Sequence, residues 1–298
     1  MENPVKLIIV ILQYNNSQDT VRCLESVKEL GYPYPAFTVV VDNNSRPEHF
    51  NNVRLFIESQ IGKVIRFKLD ALSQNLGYAG GNNVGIRRAL ENGADYVLVL
   101  NNDTVVPKDL LSKLVSEAES DDDIGIVAPA IDEGKRITYG GRIKWLRPEL
   151  NHLMSSQDVI DYLPGVCLLI KRSVIEKIGL LDENYFLYFE DADYCVRASR
   201  AGFILKLMPE VLVRHKVSAS TEQLGAPLLL RYHFRNALYF NWRHAPAGYK
   251  ILLPFWSFFI MMKQLVKIAF LPDKRKISKA ILTSVLDFHL DNFGKIDD

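Results

Sequence analysis

Along its first 130 residues the chain repeats one pattern: a short apolar run, a polar stop, then a stretch with apolar residues every three or four positions. Runs that are apolar throughout read as strands buried on both faces, and the three-to-four spacing reads as helix. Strands are expected at Val5–Leu12, Phe37–Val41, Val64–Phe67, Tyr96–Leu100 and Ile124–Ala130. The first helix starts at Ser17, carries Val21, Leu24, Val27 and Leu30 on one face, and closes at Gly31. Further helices are expected around Val53–Ile61, from about Asn82 to Asn92 with Gly93 as its stop, and from Pro107 to Ser120. This alternation predicts the α/β class: a doubly wound, mostly parallel sheet with helices on both faces.

Beyond residue 130 the rhythm breaks. Ile131–Ile160 reads as irregular, with Gly140-Gly141 and an exposed-looking Trp145. A strand at Val166–Ile170 and a helix from Ser173 follow. The aromatic run Tyr185–Phe189 then leads into Glu190-Asp191-Ala192-Asp193 and a helix that ends at Gly202. Val211–Arg214 is the last expected strand, immediately before His215, and from Leu228 onward the chain reads as a helical extension without internal repeats. The expected division is an α/β domain over 1–225, with halves 1–130 and 131–225, and a helical C-terminal extension over 226–298.

Composition narrows the class. With 48% hydrophobic and 24% charged residues among 298, the chain can bury a large core. A net charge of +1 and no basic stripe in the first two hundred residues argue against a nucleic-acid partner. Cys23, Cys167 and Cys195 are widely spaced and odd in number, which fits reduced structural thiols rather than disulfides or a zinc site. The apolar run Leu7–Leu12 is too short for a signal-peptide core, and no run reaches the roughly twenty apolar residues of a spanning helix, so a cytoplasmic location is expected.

The candidate chemistry lies where strands stop. Gln13-Tyr14-Asn15, Asp42-Asn43-Asn44 and Asn101-Asn102-Asp103 each follow an apolar strand. In open α/β sheets ligands bind just beyond the carboxyl ends of strands. Asn and Asp favour turns for local backbone reasons, but three such stops on one sheet edge suit the polar edges of a nucleotide. Asp103 is placed where a carboxylate can hold a hard cation. The segment Asn75-Leu76-Gly77-Tyr78-Ala79-Gly80-Gly81-Asn82-Asn83 opens a helix, where glycines let backbone approach a ligand closely; it is neither a Walker loop nor a dinucleotide fingerprint. Glu190 and Asp191 begin a helix, which acids do simply to complement its dipole. Asp193 and Arg197, four apart, read as a salt bridge, whereas Asp191 lies off that pair behind an aromatic wall that could raise its pKa into the range of a general base. His215 becomes interesting as an imidazole partner to Asp103 at a Mn2+ or Mg2+ site.

These segments taken in order, from Val10-Ile-Leu-Gln-Tyr-Asn-Asn through Val41-Asp-Asn-Asn-Ser, Asn75 to Asn83, Leu100-Asn-Asn-Asp and Phe189-Glu-Asp-Ala-Asp-Tyr-Cys-Val-Arg, resemble bacterial and archaeal family 2 glycosyltransferases. The rhamnosyl- and galactofuranosyltransferase-like enzymes of surface polysaccharide assembly are the most similar in appearance, and the resemblance covers roughly residues 5 to 245. It implies a GT-A fold and inverting transfer of a sugar from a nucleotide-diphosphate donor, a dTDP- or UDP-sugar such as rhamnose, to a hydroxyl of a glycan or lipid-linked glycan. It implies that Asp103 binds a Mn2+ or Mg2+ ion bridging the diphosphate, with His215 a further ligand. Gln13, Asn15, Asp42, Asn75, Gly80, Asn82 and Asn102 would contact the donor, and Asp191, with Glu190 beside it, would be the base. Here the family's first metal-motif acid is Asn101, which removes one negative charge. Two other readings are a sugar-nucleotide pyrophosphorylase, which expects a basic glycine-rich loop where this chain has Gln13-Tyr14-Asn15-Asn16, and a non-catalytic sugar-nucleotide-binding subunit.

In the tail, Ile251-Leu-Leu-Pro-Phe-Trp-Ser-Phe-Phe-Ile-Met-Met262 is flanked by Lys250, Lys263, Lys267 and Lys274-Arg275-Lys276. Aromatics and flanking lysines over 246–276 suit an interfacial helix on an anionic leaflet, peripheral on the inner face of the cell membrane; packing on the α/β domain or a homodimer contact is the alternative.

Overall fold

The structure, a computed structural model, describes residues 6–31, 37–60, 66–147, 149–216 and 225–296. Val5, Ile61, Val64 and Ile65, at the edges of expected elements, lie outside the described residues. The chain runs β1 (Leu7–Gln13), α1 (Ser17–Lys28), β2 (Phe37–Asp42), α2 (Pro47–Glu58), β3 (Arg66–Ala71), α3 (Gly77–Glu91), β4 (Tyr96–Asn101), β5 (Thr104–Val105), α4 (Leu110–Glu119) and β6 (Ile124–Asp132). Then come β7 (Ile137–Thr138), β8 (Gly141–Lys144), β9 (Glu149–His152), β10 (Cys167–Lys171), α5 (Arg172–Ile178), α6 (Glu190–Arg200) and β11 (Ile204–His215). Four helices follow: α7 (Ala226–His244), the short α8 (Ala247–Lys250), α9 (Leu253–Phe270) and α10 (Arg275–His289).

The main sheet has the order β3-β2-β1-β4-β10-β6-β11-β5. Strands β3, β2, β1 and β4 are mutually parallel, while β10 runs antiparallel to both β4 and β6. Helices cover both faces, so the strands are apolar on both sides: Leu7 through Ile11 and Val39 through Val41 have no exposed surface. Ile8, Val10, Val97 and Val99 pack with Ile86 and Ala89 of α3 and Ala192 and Cys195 of α6. Leu7, Ile9, Ile11 and Leu98 pack with Leu24 of α1 and Leu111 and Leu114 of α4 on the other face. All three cysteines are free and buried.

Several boundaries differ from expectation, each for a physical reason. Helix α2 begins at Pro47, earlier than Val53, because proline's fixed φ suits the first helical turn. Strand β11 extends back to Ile204, past a register irregularity between Met208 and Leu212 where Pro209 cannot donate to the ladder. The stretch expected to be irregular contains β7 and the β8–β9 hairpin. Trp145, expected at the surface, is half-buried and stacks on Phe240 with ring centroids 5.7 Å apart. Residues 247–270 form a helical stretch long and apolar enough to cross a membrane by length and composition, although no uninterrupted apolar run of that length occurs in the sequence.

The glycine-rich segment is itself helix. Helix α3 starts at Gly77 rather than near Asn82, and its glycines serve packing more than ligand approach. A Cβ on Gly81 would lie 2.4 Å from Leu12 Cδ1 and one on Gly85 would lie 2.2 Å from Val10 Cγ1. Their absence lets α3 lie directly on β1. Gly85→Ala should therefore lower stability by about 1–3 kcal/mol in a denaturant melt, even though alanine is the better helix former. An unchanged or raised midpoint would overturn this account of the α3–β1 contact.

Candidate active site

The chain adds β2 and β3 on one side of β1 and then crosses to place β4 on the other. That reversal leaves a crevice beyond the carboxyl ends of β1 and β4, at Gln13 and Asn101. Asp103 lies two residues past β4. The antiparallel pairing of His215 with Thr104 then brings the imidazole beside it, Nε2 standing 3.2 Å from Asp103 Oδ1. Asp103 Oδ1 and both ring nitrogens of His215 are buried and make no hydrogen bond. Glu133 Oε1 stands 4.0 Å from His215 Nδ1, near the limit of an ion-pair contact.

The opposite wall is the start of α6. Phe186, Tyr188 and Phe189 all adopt positive φ (58°, 73° and 75°), a region that bulky residues rarely enter. Asn236 of α7 holds this turn, its amide donating to the carbonyls of Tyr185, Leu187 and Tyr188 at 2.7, 2.8 and 3.1 Å. The Phe186 carbonyl accepts from the Tyr78 N–H at 2.6 Å, and a side chain on Gly77 would collide with that same carbonyl. The turn delivers Glu190 and Asp191 into the cleft. Asp191 accepts from the Gly165 N–H at 2.8 Å and the Ala192 N–H at 2.7 Å. The Gly165 carbonyl in turn accepts from Tyr78 Oη at 2.5 Å, and Tyr78 Oη also lies 3.0 Å from Asn101 Oδ1.

Burial, and next the neighbouring Asp191 charge, push the Glu190 carboxyl up to about 8. Burial also raises Asp191, opposed by its two backbone N–H donors and by His152. Glu190 therefore keeps its proton near neutral pH, while the backbone N–H donors to Asp191 favour that residue's carboxylate form over Glu190's.

The cleft encloses about 330 Å³ and is lined by Asn75, Asn101, Asn102, Asp103 and His215 on the sheet side and by His152, Gly165, Glu190 and Asp191 opposite. A second opening of about 580 Å³ shares Asp103, Glu133 and His215 with it and adds Arg22, Arg214 and Lys216, cations suited to phosphate oxygens.

Apart from Asn75, which lines the cleft, the other residues singled out in the sequence lie outside this lining. Gln13 is fully buried, accepting from Thr20 Oγ1 and Asn102 Nδ2, with its own Nε2 unpartnered. Asn15, at φ 47°, ties β1 to the β2 loop through Ser45 Oγ and the Arg46 N–H. Asp42 Oδ1 accepts from the Ser45 N–H, and its buried Oδ2 is unpartnered. Asn75 Oδ1 accepts from Asn43 Nδ2 and the Gly77 N–H. Gly80 faces Leu76 and Glu183, and Asn82 donates to the Tyr78 carbonyl, so neither lines the cleft; helix geometry turns them away. Asp193 does pair with Arg197 at 2.7 Å, and also with His244 at 2.6 Å, a partner that four-residue spacing could not reveal. Tyr78, His152 and Asn236 were missed. His152 ends a hairpin in a stretch without periodic signal, and Asn236 lies forty-five residues beyond Asp191.

Comparison with known proteins places this geometry in a class. Residues 8–179 match the family described as Glycosyl transferase family 2, and residues 96–266 match Glycosyl transferase family group 2. The chain belongs to the family 2 glycosyltransferases. It is 29% identical over 240 residues to the low-salt glycan biosynthesis hexosyltransferase Agl10 of Haloferax volcanii, covering 77% of this chain and 73% of that one. It is 23% identical over 252 residues to the dTDP-rhamnosyl transferase RfbF of Shigella flexneri, covering 80% of each. Among solved structures, the mannosyltransferase PcManGT from Pyrobaculum calidifontis, in complex with GDP-Man and Mn2+, superposes with a TM-score of 0.60 at 15% identity over 97% of this chain and 88% of that one. The fold is GT-A-like and the protein is a glycosyltransferase, which displaces the pyrophosphorylase and non-catalytic readings.

Between the ordinary glutamate value of 4.5 and about 8, folded Glu190 keeps a proton that the unfolded chain has released. Folded stability accordingly falls as pH rises through that window. Glu190→Gln should remove this component, so that the difference in thermal midpoint between variant and wild type grows from pH 5 to pH 8. Parallel profiles would overturn the buried-acid assignment.

Proposed function

We propose that the protein is an inverting glycosyltransferase that moves a sugar from a dTDP- or UDP-sugar, rhamnose being the favoured case, to a hydroxyl of a glycan or lipid-linked glycan in cell-surface polysaccharide synthesis. The observation that carries this is the pairing of two unlike walls on one cleft: the adjacent carboxyls of Glu190 and Asp191, the latter held by two backbone N–H groups, facing Asp103 and His215, whose buried Oδ1 and ring nitrogens make no hydrogen bond. The rhamnosyl sugar is favoured by the relatives, which include RfbF and, over 93 residues at 33% identity, an N-acetylglucosaminyl-diphospho-decaprenol L-rhamnosyltransferase of Mycobacterium tuberculosis.

The unpartnered Asp103 Oδ1 and His215 Nε2, 3.2 Å apart, form a mixed oxygen–nitrogen donor pair that fits a Mn2+ or Mg2+ ion. Among the described residues no group of three such side chains gathers around a metal position, so these two leave coordination positions open to a diphosphate. A divalent cation held there would offset the negative charge that develops on the departing diphosphate. The remaining steps belong to the protein. Asp191, its orientation fixed by the Gly165 N–H, removes the proton from the acceptor hydroxyl. The hydroxyl oxygen attacks the anomeric carbon from the face opposite the leaving group, the bond to the diphosphate oxygen breaks, and the diphosphate leaves with the electron pair. Tyr78 Oη donates to the Gly165 carbonyl and lies 3.0 Å from Asn101 Oδ1, so the polar group at 101 reaches the base side of the cleft through Tyr78.

Asp191→Asn keeps the shape of the side chain and removes the base. Transfer should fall by about 10²–10⁴-fold, while the thermal shift produced by UDP or dTDP with Mn2+ stays at its wild-type value. Undiminished transfer would sink the assignment. Asp103→Asn should lose the Mn2+-dependent part of that shift, and transfer with it; a full Mn2+ response in this variant would remove Asp103 from the metal site.

A further inference from the structure

Helix α9 is built inside out. Its buried positions are Leu253, Ser257, Ile260 and Gln264, and the polar atoms Ser257 Oγ and Gln264 Oε1 are enclosed without a hydrogen-bond partner. Its outer positions carry Phe255, Phe258, Phe259, Met262, Val266 and Phe270, exposed by 70, 64, 53, 45, 54 and 77%. At about 100° of rotation per residue these six share one continuous stripe along the helix. A helix that faces water normally does the opposite, and an apolar stripe of this extent marks a surface with a partner.

The charge pattern says which partner. Lys263 and Lys267 border the stripe, Lys250 precedes the helix, and Lys274, Arg275 and Lys276 follow it, so that from Lys250 to Lys276 six cations stand against one carboxylate, Asp273. An apolar ridge flanked by this excess of cations complements the acyl and anionic headgroup layers of a membrane surface. A second copy of this chain fits poorly, because a symmetric contact would set lysine rims against each other with Asp273 the one carboxylate in the flanking segment to offset them. The inner side of α9 stays attached to the protein: Leu253 and Ile260 pack on Leu238 of α7 and on Ile281 and Val285 of α10. That attachment favours a helix lying on the bilayer over one crossing it.

We propose that α9 docks the enzyme on an anionic membrane surface, with the phenylalanine stripe entering the acyl boundary and the flanking lysines binding acidic headgroups. The inference rests on the C-terminal helices and is independent of the donor and acceptor chosen above.

The test is flotation of the full chain with vesicles of phosphatidylcholine alone or with about 30% phosphatidylglycerol. Wild type should float with the anionic vesicles and remain largely below with the neutral ones. Lys263→Glu with Lys267→Glu should weaken partitioning on the order of thirty-fold or more, since each lysine is worth about fivefold near such a surface. Phe258→Ser with Phe259→Ser should abolish it while the circular-dichroism melt is kept. If the serine variant fails to fold, the charge-reversed variant alone decides. The proposal is overturned if wild type floats with neither vesicle, if charge reversal leaves binding unchanged, or if sedimentation shows a dimer that the serine substitutions dissociate. Flotation requires no turnover, so a failed transferase assay leaves its result intact.

Discussion

The active site depends on a backbone turn that its own residues disfavour. Three aromatic residues in the left-handed region, each costing about 1–3 kcal/mol, persist only where surrounding groups over-determine them. Here the constraint comes from α7. Asn236 binds three carbonyls of the turn, and the buried Arg235 spans from the Asn292 and Gly294 carbonyls to those of Asn184 and Tyr185. Tyr78 N–H closes the other side on Phe186. The turn is thereby gripped between the first helix of the C-terminal group and the glycine-bearing end of α3. Without this grip α6 would have no fixed starting angle, and neither acid at its first turn would have a fixed aim.

The same construction sets the electrostatics. Placing Glu190 and Asp191 side by side in a buried wall makes two negative charges unfavourable, so one proton is retained near neutral pH. Backbone donors break the symmetry: Gly165 and Ala192 N–H groups stabilise charge on Asp191, while Glu190 keeps an enclosed oxygen without a partner. Across the cleft, Asp103 and His215 carry enclosed atoms that no protein group satisfies. Buried polar atoms left open on both sides of one cavity are what a folded chain tolerates where a ligand completes the bonding.

The strands of residues 1–130, the strand-end residue Asp103 and the helix-start residue Asp191 were legible because their signals are local. A fully apolar run that stops at Asn101-Asn102-Asp103 specifies both a central strand and its lip. The glycine segment was only partly legible, because close approach to a ligand and close approach of helix to strand demand the same residue: Asn75, Gly77 and Tyr78 line the cleft, whereas Gly81 packs on Leu12. Asn236, His152 and His244 were illegible for another reason. Each acts on a residue 39 to 51 positions away, through tertiary contacts that no periodicity encodes. Trp145 looked exposed because its partner, Phe240, lies almost a hundred residues downstream.

Helix α7 joins the two functional surfaces. Asn236 reaches the strained turn, and two residues later Leu238 supports the inner side of α9. Residues 236 and 238 lie on different faces of one helix, about 200° apart. The element that aims the acids at the cleft is therefore the same one on which the proposed membrane helix rests. A rigid helix shared in this way fixes the orientation of the cleft relative to the phenylalanine stripe without any hinge between them. If the acceptor hydroxyl is carried on a lipid and α9 docks as proposed, that fixed relation would convert surface docking into acceptor placement, since the reacting group would then be held at a set height above the bilayer.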